Sequence, residues 1–210
     1  MTTPHYRHLV FDIDGTMLDT EHAWVASLQD ALPLFTTKRY TADDLHFILG
    51  ITGEETMRRL GIDAVDAALE EWNRRFEDHR ADICLYPGVE TLIRTLKAKG
   101  KKTGIVTSED RDELQRVFVP FALTPLFDTI VCLEDTPRPK PAPDPLLTYI
   151  EKTGATKSEV LFIGDSEYDS QAAQAAGVDF GLALWGSGAR NEGLHREHSL
   201  FSPSDVLKLI

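Results

Sequence analysis

The chain has 210 residues, of which 42% are hydrophobic and 27% charged, enough to build one ordinary domain or one domain with a smaller unit inserted into it. That balance, with apolar runs that stay short, excludes a disordered chain, a membrane protein and any collagen-like, heptad or repeat architecture. The net charge of −12, with no Lys/Arg run or stripe to offset it, argues against nucleic acid or an anionic membrane surface as a partner.

At the amino end the first apolar run, Leu9-Val10-Phe11, is stopped by Asp12 far short of a signal-peptide core, so secretion and membrane spanning are not expected. Cys84 and Cys132 are too far apart in sequence for a CxxC redox or zinc pair and read as reduced structural thiols, which fits a cytoplasmic protein. Residues 9–13 read as a buried strand. From residue 18 to residue 84 the pattern turns helical, with candidate helices over 21–32, 42–49, 54–60 and 65–79 separated by Pro33, by Gly50-Ile51-Thr52-Gly53 and by Gly61.

Pro87-Gly88 restarts an alternation of helices and strands. A helix over 89–99 carries Leu92, Ile93 and Leu96 at helical spacing and closes with Lys97, Lys99 and Gly100, which suit a helix C-terminus. Strands follow over 103–106, 129–133, 160–163 and 181–184, interleaved with helices over 110–117, 144–153 and 168–176, the last closed by Gly177. This order predicts an α/β fold, a doubly wound parallel sheet with right-handed crossovers, carrying a smaller all-helical cap after the first strand. The expected division is a core of residues 1–17 and 85–210 and a cap of residues 18–84, hinged at 16–18 and 83–87. Ligands of such sheets bind beyond the carboxyl ends of the strands.

Four motifs fall at those ends. Asp12-Ile13-Asp14-Gly15-Thr16 ends the first strand, and strand alternation starts Asp12 and Asp14 on one face, where two carboxylates call for a cation between them or a retained proton; an Asp-Gly turn with a spare acid is the plainer alternative. After the strand 103–106, Thr107 and Ser108 offer hydroxyls and backbone N–H groups at a helix start, an anion cradle or simply a helix cap. Beyond the strand 129–133, Lys140 stands among Pro139, Pro141, Pro143 and Pro145, a fixed cation or an exposed lysine in a proline-rich turn. Asp165, at the exit of the strand 160–163, and Asp169, one helical turn on, are hard oxygen ligands suited to Mg²⁺, or else an acidic helix start. An acidic pocket of this kind admits an anionic substrate only with a metal and a lysine in place.

In this order and over nearly the whole chain, the four motifs resemble those of the haloacid dehalogenase superfamily. The helical insert behind the first motif is similar to the cap of its phosphoglycolate phosphatase-like and β-phosphoglucomutase-like members. The resemblance implies a Mg²⁺-dependent phosphatase acting on a small phosphorylated metabolite through an aspartyl-phosphate on Asp12. It implies Asp14 as general acid/base, Thr107, Ser108 and Lys140 as phosphate holders, and Asp12, Asp14, Asp165 and Asp169 as the metal site, Asp14 through its backbone carbonyl. A dehalogenase needs no metal and typically has tyrosine where this chain has Asp14, so it ranks below. A phosphomutase is the closer rival, but the specificity-loop candidate, residues 49–56, is acidic and has no arginine before Arg58. Arg58 and Arg59 read as a solvated helix face. A catalytically idle binder of ligand or partner protein is opposed by the intact Asp12 and Asp14. The oligomeric state is left open, Trp185-Gly186-Ser187-Gly188 reads as a pocket rim or a flexible turn, and His195 to His198 as an exposed loop or terminal helix.

Overall fold

The computed structural model describes residues 6–186 and 193–210. Strand β1 (His8–Phe11) leads into a two-residue strand β2 (Leu18–Asp19), which pairs antiparallel with β3 (Cys84–Leu85), Leu18 opposite Leu85 and Asp19 opposite Cys84. Between β2 and β3 lie four helices, α1 (Glu21–Ala31), α2 (Ala42–Leu45), α3 (Gly53–Leu60) and α4 (Val65–His79). After β3 the chain alternates: α5 (Val89–Ala98), β4 (Lys102–Val106), α6 (Arg111–Val117), β5 (Thr129–Val131), α7 (Asp144–Thr153), β6 (Val160–Gly164), α8 (Glu167–Ala176), β7 (Asp179–Ala183) and β8 (His198–Leu200). Six strands form one parallel sheet in the order β5-β4-β1-β6-β7-β8. The chain thus builds outward from β1 in one direction, crosses back, and builds outward in the other; the crevice at that reversal is where such a sheet binds ligands.

Strand alternation divides the core. Leu9, Phe11, Leu161 and Ile163 pack on one face with α5, while Val10, Val160, Phe162 and Phe180 meet Leu146 and Tyr149 of α7 and Ala172, Ala173 and Ala176 of α8 on the other. The small alanine face of α8 lets that helix sit close to the sheet. Among the inserted helices the cohesion is aromatic: the Trp24 ring stacks on Phe76 at 4.0 Å and meets Trp72 edge-on at 5.5 Å. The Trp72 indole N–H, buried in this cluster, donates to the Trp24 carbonyl and to Ser27 Oγ, as a buried indole requires.

Departures from the sequence reading are local. The expected helix over 42–49 stops as an α-helix at Leu45 and continues as a tighter 3-10 turn, His46–Ile48. The strand expected to reach residue 133 ends at Val131, because the Cys132 N–H turns to the Asp135 carboxylate and the Leu133 N–H to the Glu109 carbonyl. Of the stretch His195 to His198, the first three residues form a loop with His195 and Glu197 exposed, while His198 opens β8, a parallel edge strand closed by the buried Leu200. The His198 ring meets the Tyr6 hydroxyl at 2.9 Å and His195 pairs with Glu197 at 3.2 Å, so the two histidines do not converge. No helix among the described residues is long and apolar enough to cross a membrane.

Because Phe76 is fully buried against Trp24, Phe76→Ala is expected to cost about 3–5 kcal/mol, read as a lower midpoint of urea denaturation.

Candidate active site

β1, β4, β6 and the loop after β5 deliver the motif residues to one place. Asp12 follows β1 directly, its N–H donating to the Ile163 carbonyl of β6, and its side chain is 3% exposed. The Lys140 ammonium, with no exposed side-chain surface, lies 2.9 Å from Asp12 Oδ1 and 2.7 Å from Asp169 Oδ1. The other Asp169 oxygen accepts from the Ser166 N–H and hydroxyl, closing the cap of α8. Asp165 Oδ1 accepts from Thr16 Oγ1 at 3.0 Å. Carboxylate oxygens of Asp12, Asp165 and Asp169 all lie within 4.8 Å of one another.

Electrostatics make this cluster incomplete by itself. Burial raises the Asp12 pKa, Lys140 opposes it, and the balance leaves it pushed up to about 7. Burial, with Asp169 and Asp12 adding, holds Asp165 well above the ordinary aspartate range. Burial alone would lower the Lys140 pKa, but Asp12 and Asp169 outweigh it and keep the ammonium charged. Three buried carboxylates thus face a single buried cation, and the uncompensated charge, about −2, together with an all-oxygen donor set, fits a hard divalent ion.

The turn after β1 depends on Gly15. Its φ is +70°, and a Cβ there would run into the Asp165 carboxylate, so only glycine lets the two motifs meet. Regular strand structure ends at Phe11, and Asp14 is not part of the three-carboxylate cluster; its Oδ1 instead accepts from the Thr20 hydroxyl at 2.6 Å and the Trp24 indole at 2.9 Å. Asp12 and Asp14 nonetheless line the same small cavity.

Of the predicted anion cradle, part is already committed. Thr107 is buried, its N–H bonds the Val131 carbonyl, its hydroxyl accepts from the Glu109 N–H, and the Asp110 N–H goes to Glu113. Within residues 107–110 this leaves the Ser108 N–H uncommitted. The Ser108 hydroxyl donates to the Gly50 carbonyl at 3.3 Å, bringing the inserted segment onto the site. Gly50, at φ +86°, comes so near that a Cβ would stand 2.9 Å from Ser166 Oγ. Arg58 is an exposed partner of Glu55, as a solvated face would have it, but Arg59 reaches past Glu55 to the Tyr168 hydroxyl at 2.8 Å. The Trp185 indole N–H donates to the Thr16 carbonyl and so braces the first motif; Ser187 and Gly188 lie outside the described residues.

Sequence reasoning missed Glu109 and Glu113. Glu109 is 4% exposed, with the Asp14 carboxyl as its side-chain neighbour; burial first, then Asp14 and Glu113, raise its pKa well above the ordinary range and favour its protonated form. Burial and the nearby Asp110 raise Glu113 to about 7. The signal was an acid directly behind Thr107-Ser108 with a second one helical turn on, a spacing that puts both on one side of the helix start.

Comparison with known proteins agrees with this geometry. A family model of haloacid dehalogenase-like hydrolases matches residues 9–183. The pyrophosphatase PpaX of Bacillus pumilus is 30% identical over 180 residues, 84% of this chain and 82% of its own, and that of Halalkalibacterium halodurans is 28% identical over 201 residues, 95% and 91%. A crystal structure from Lactobacillus plantarum, of a protein provisionally named a phosphoglycolate phosphatase, superposes with a TM-score of 0.89 at 34% identity, covering 98% of this chain and 100% of that one.

A pH effect follows from Glu113. Its folded value of about 7 lies above the ordinary 4.5, so between those pH values the folded state keeps a proton that the unfolded chain has released, and stability falls as pH rises through that window. Glu113→Gln should flatten this decline and, at pH 8, stabilise the protein by about 1–3 kcal/mol, measured as thermal midpoints across pH 4–8. With its four motifs gathered at the strand ends and the family model spanning residues 9–183, the chain belongs to the haloacid dehalogenase-like hydrolases.

Proposed function

We propose that the chain is a Mg²⁺-dependent phosphatase that hydrolyses a small phosphate monoester through an aspartyl-phosphate on Asp12. The observation that carries this reading is the buried Lys140 held between Asp12 and Asp169 beside Asp165: one anionic side chain at a strand end, a fixed cation against it, and charge left over for a metal. The domain division at residues 18–84 is part of the same reading, the inserted helices serving as a cap that closes over the site.

Asp12 attacks phosphorus and the ester oxygen leaves, which splits hydrolysis into formation and breakdown of an acyl phosphate. Lys140 orients and neutralises the transferring group, with the Thr107 side chain and the Ser108 N–H and hydroxyl as further contacts, since the charge of a loose phosphoryl transition state is spread over peripheral oxygens. Asp14, aimed by Thr20 and Trp24, gives its proton to the leaving alkoxide and later takes one from the attacking water. Asp12, Asp165, Asp169 and the Asp14 carbonyl would hold Mg²⁺, which supplies the positive charge that lets an anionic ester approach so acidic a site. The Gly50 segment, seated over the site by Ser108, excludes bulk water.

A phosphomutase is less well supported. Among the described residues no arginine or lysine lines the cavity shared by Asp12 and Asp14, where a second phosphate would need one. Two free thiols, Cys84 exposed and Cys132 buried, fit a reducing compartment such as the cytoplasm.

Phosphate release from a panel of monoesters, with and without Mg²⁺, tests the reading. Asp12→Asn is expected to lower kcat by about a thousandfold or more while leaving the fold intact by circular dichroism, and chelation of the metal should abolish turnover of the native protein; metal-independent turnover that survives Asp12→Asn would refute it.

A further inference from the structure

Away from the crevice, a second group of side chains converges. Among the described residues, two sets of three carry donor atoms that all lie within 4.8 Å of one another: the crevice carboxylates Asp12, Asp165 and Asp169, and the set His22, His79 and Asp82. The second set belongs to the inserted helices. His22 stands in the first turn of α1, His79 closes α4, and Asp82 ends the 3-10 turn Arg80–Asp82 that leads into β3. The stack of Trp24 on Phe76 joins α1 to α4, and the two histidines lie just past that stack, at the end where the chain enters and leaves the insert.

As plain surface pairs these contacts would contribute little, since the His22 and Asp82 side chains are 73% and 53% exposed and well screened. Their geometry suits an ion. His22 Nδ1 lies 3.3 Å from Asp82 Oδ2, and metal bonds of about 2.0–2.2 Å at a tetrahedral angle put neighbouring donors about 3.3–3.6 Å apart. The His22 and His79 rings meet edge to face with centroids 6.1 Å apart, near enough for a nitrogen of each to share one ion. Asp30 Oδ2 stands 2.9 Å from His79 Nε2, and a carboxylate against the imidazole is the arrangement that fixes the orientation of a metal-bound histidine. Two imidazoles with a carboxylate form a borderline donor set, which selects zinc-class ions over Mg²⁺ and Ca²⁺ with their preference for oxygen alone. We propose that His22, His79 and Asp82 bind one divalent transition ion of the zinc class, with Asp30 positioning His79, and that the ion clamps the two ends of the inserted helices together. The clamp falls beside the joint of β2 and β3, because His22 closely follows Asp19 and Asp82 closely precedes Cys84, a residue pair of that ribbon. Three protein donors leave a further position to water.

The test titrates native protein, His22→Gln, Asp82→Asn and Asp30→Asn with Zn²⁺ by calorimetry and with Cu²⁺ by electron paramagnetic resonance, in excess Mg²⁺. Native protein should bind one Zn²⁺ that His22→Gln and Asp82→Asn hold about a hundredfold more weakly. Its first equivalent of Cu²⁺ should show superhyperfine splitting from two nitrogens, reduced to one in His22→Gln. Asp30→Asn should weaken binding about tenfold while the nitrogen count stays at two, as expected of a positioning residue. The crevice carboxylates supply oxygen donors only, so the nitrogen splitting separates this site from that one. Zn²⁺ should also raise the thermal midpoint of native protein, and raise it less in His22→Gln, since an ion bound only by the folded state stabilises it. A native Cu²⁺ spectrum without nitrogen coupling overturns the proposal, as do a Zn²⁺ isotherm and a spectrum that His22→Gln leaves unchanged. A midpoint shift equal in native protein and His22→Gln overturns the clamp. The native spectrum needs no variant, so a substitution that fails to fold does not remove the test.

Discussion

The Lys140 ammonium between Asp12 and Asp169 is the constraint around which the rest is arranged. A buried ion pair gives little stability, because desolvating the charges offsets their attraction; its presence inside the sheet crevice is therefore a demand of the site, and the fold meets it with rigid parts. Lys140 comes from a loop held by prolines on both sides, Asp169 from the first turn of α8 where Ser166 fixes its second oxygen, and Asp12 from the end of the central strand. Loss of the lysine would leave three carboxylates in one buried place with no counter-charge, so the same side chain that orients phosphate also permits the folded state.

Cohesion of the inserted helices and aim of the proposed acid/base are one structural problem. The stack of Trp24 on Phe76, with Trp72 at its edge, is the apolar centre of the insert, and the indole N–H left over from that packing is the one that holds Asp14. Any displacement of α1 from the sheet takes Trp24 away from Asp14. The ribbon of β2 and β3 sits where the chain enters and leaves the insert, and two residue pairs make a short joint. Gly50 completes the arrangement from the other side, threading between Ser108 and Ser166 where a side chain would not fit.

What the sequence made legible was whatever repeats or clusters. Short continuous runs of apolar and β-branched residues located β1, β4 and β6, helical spacing located α4, α5 and α7, and four short motifs at strand ends located the site. The two-residue strands β2 and β3 carry no period to detect, and β8 shows a single buried position, Leu200, in three residues. Alternation put Asp12 and Asp14 on one side, and both line one cavity, although regular strand structure ends at Phe11 and the Gly15 turn carries the chain from there. Glu109 was invisible for another reason: charged residues are seldom buried without a partner, so a reader assigns such an acid to solvent, and only the packing of the insert against α6 and its approach reveals that it is enclosed.

The two ends of the cavity differ in electrical character. Lys140 and a divalent ion would make the phosphate end positive; at the other end burial raises the pKa of both Glu109 and Glu113 and so favours their neutral forms, while Arg58 and Arg59 are both held by Glu55. With a net charge of −12 the protein as a whole repels anions, so attraction of a phosphate ester depends on short-range charge in the crevice rather than on steering from afar.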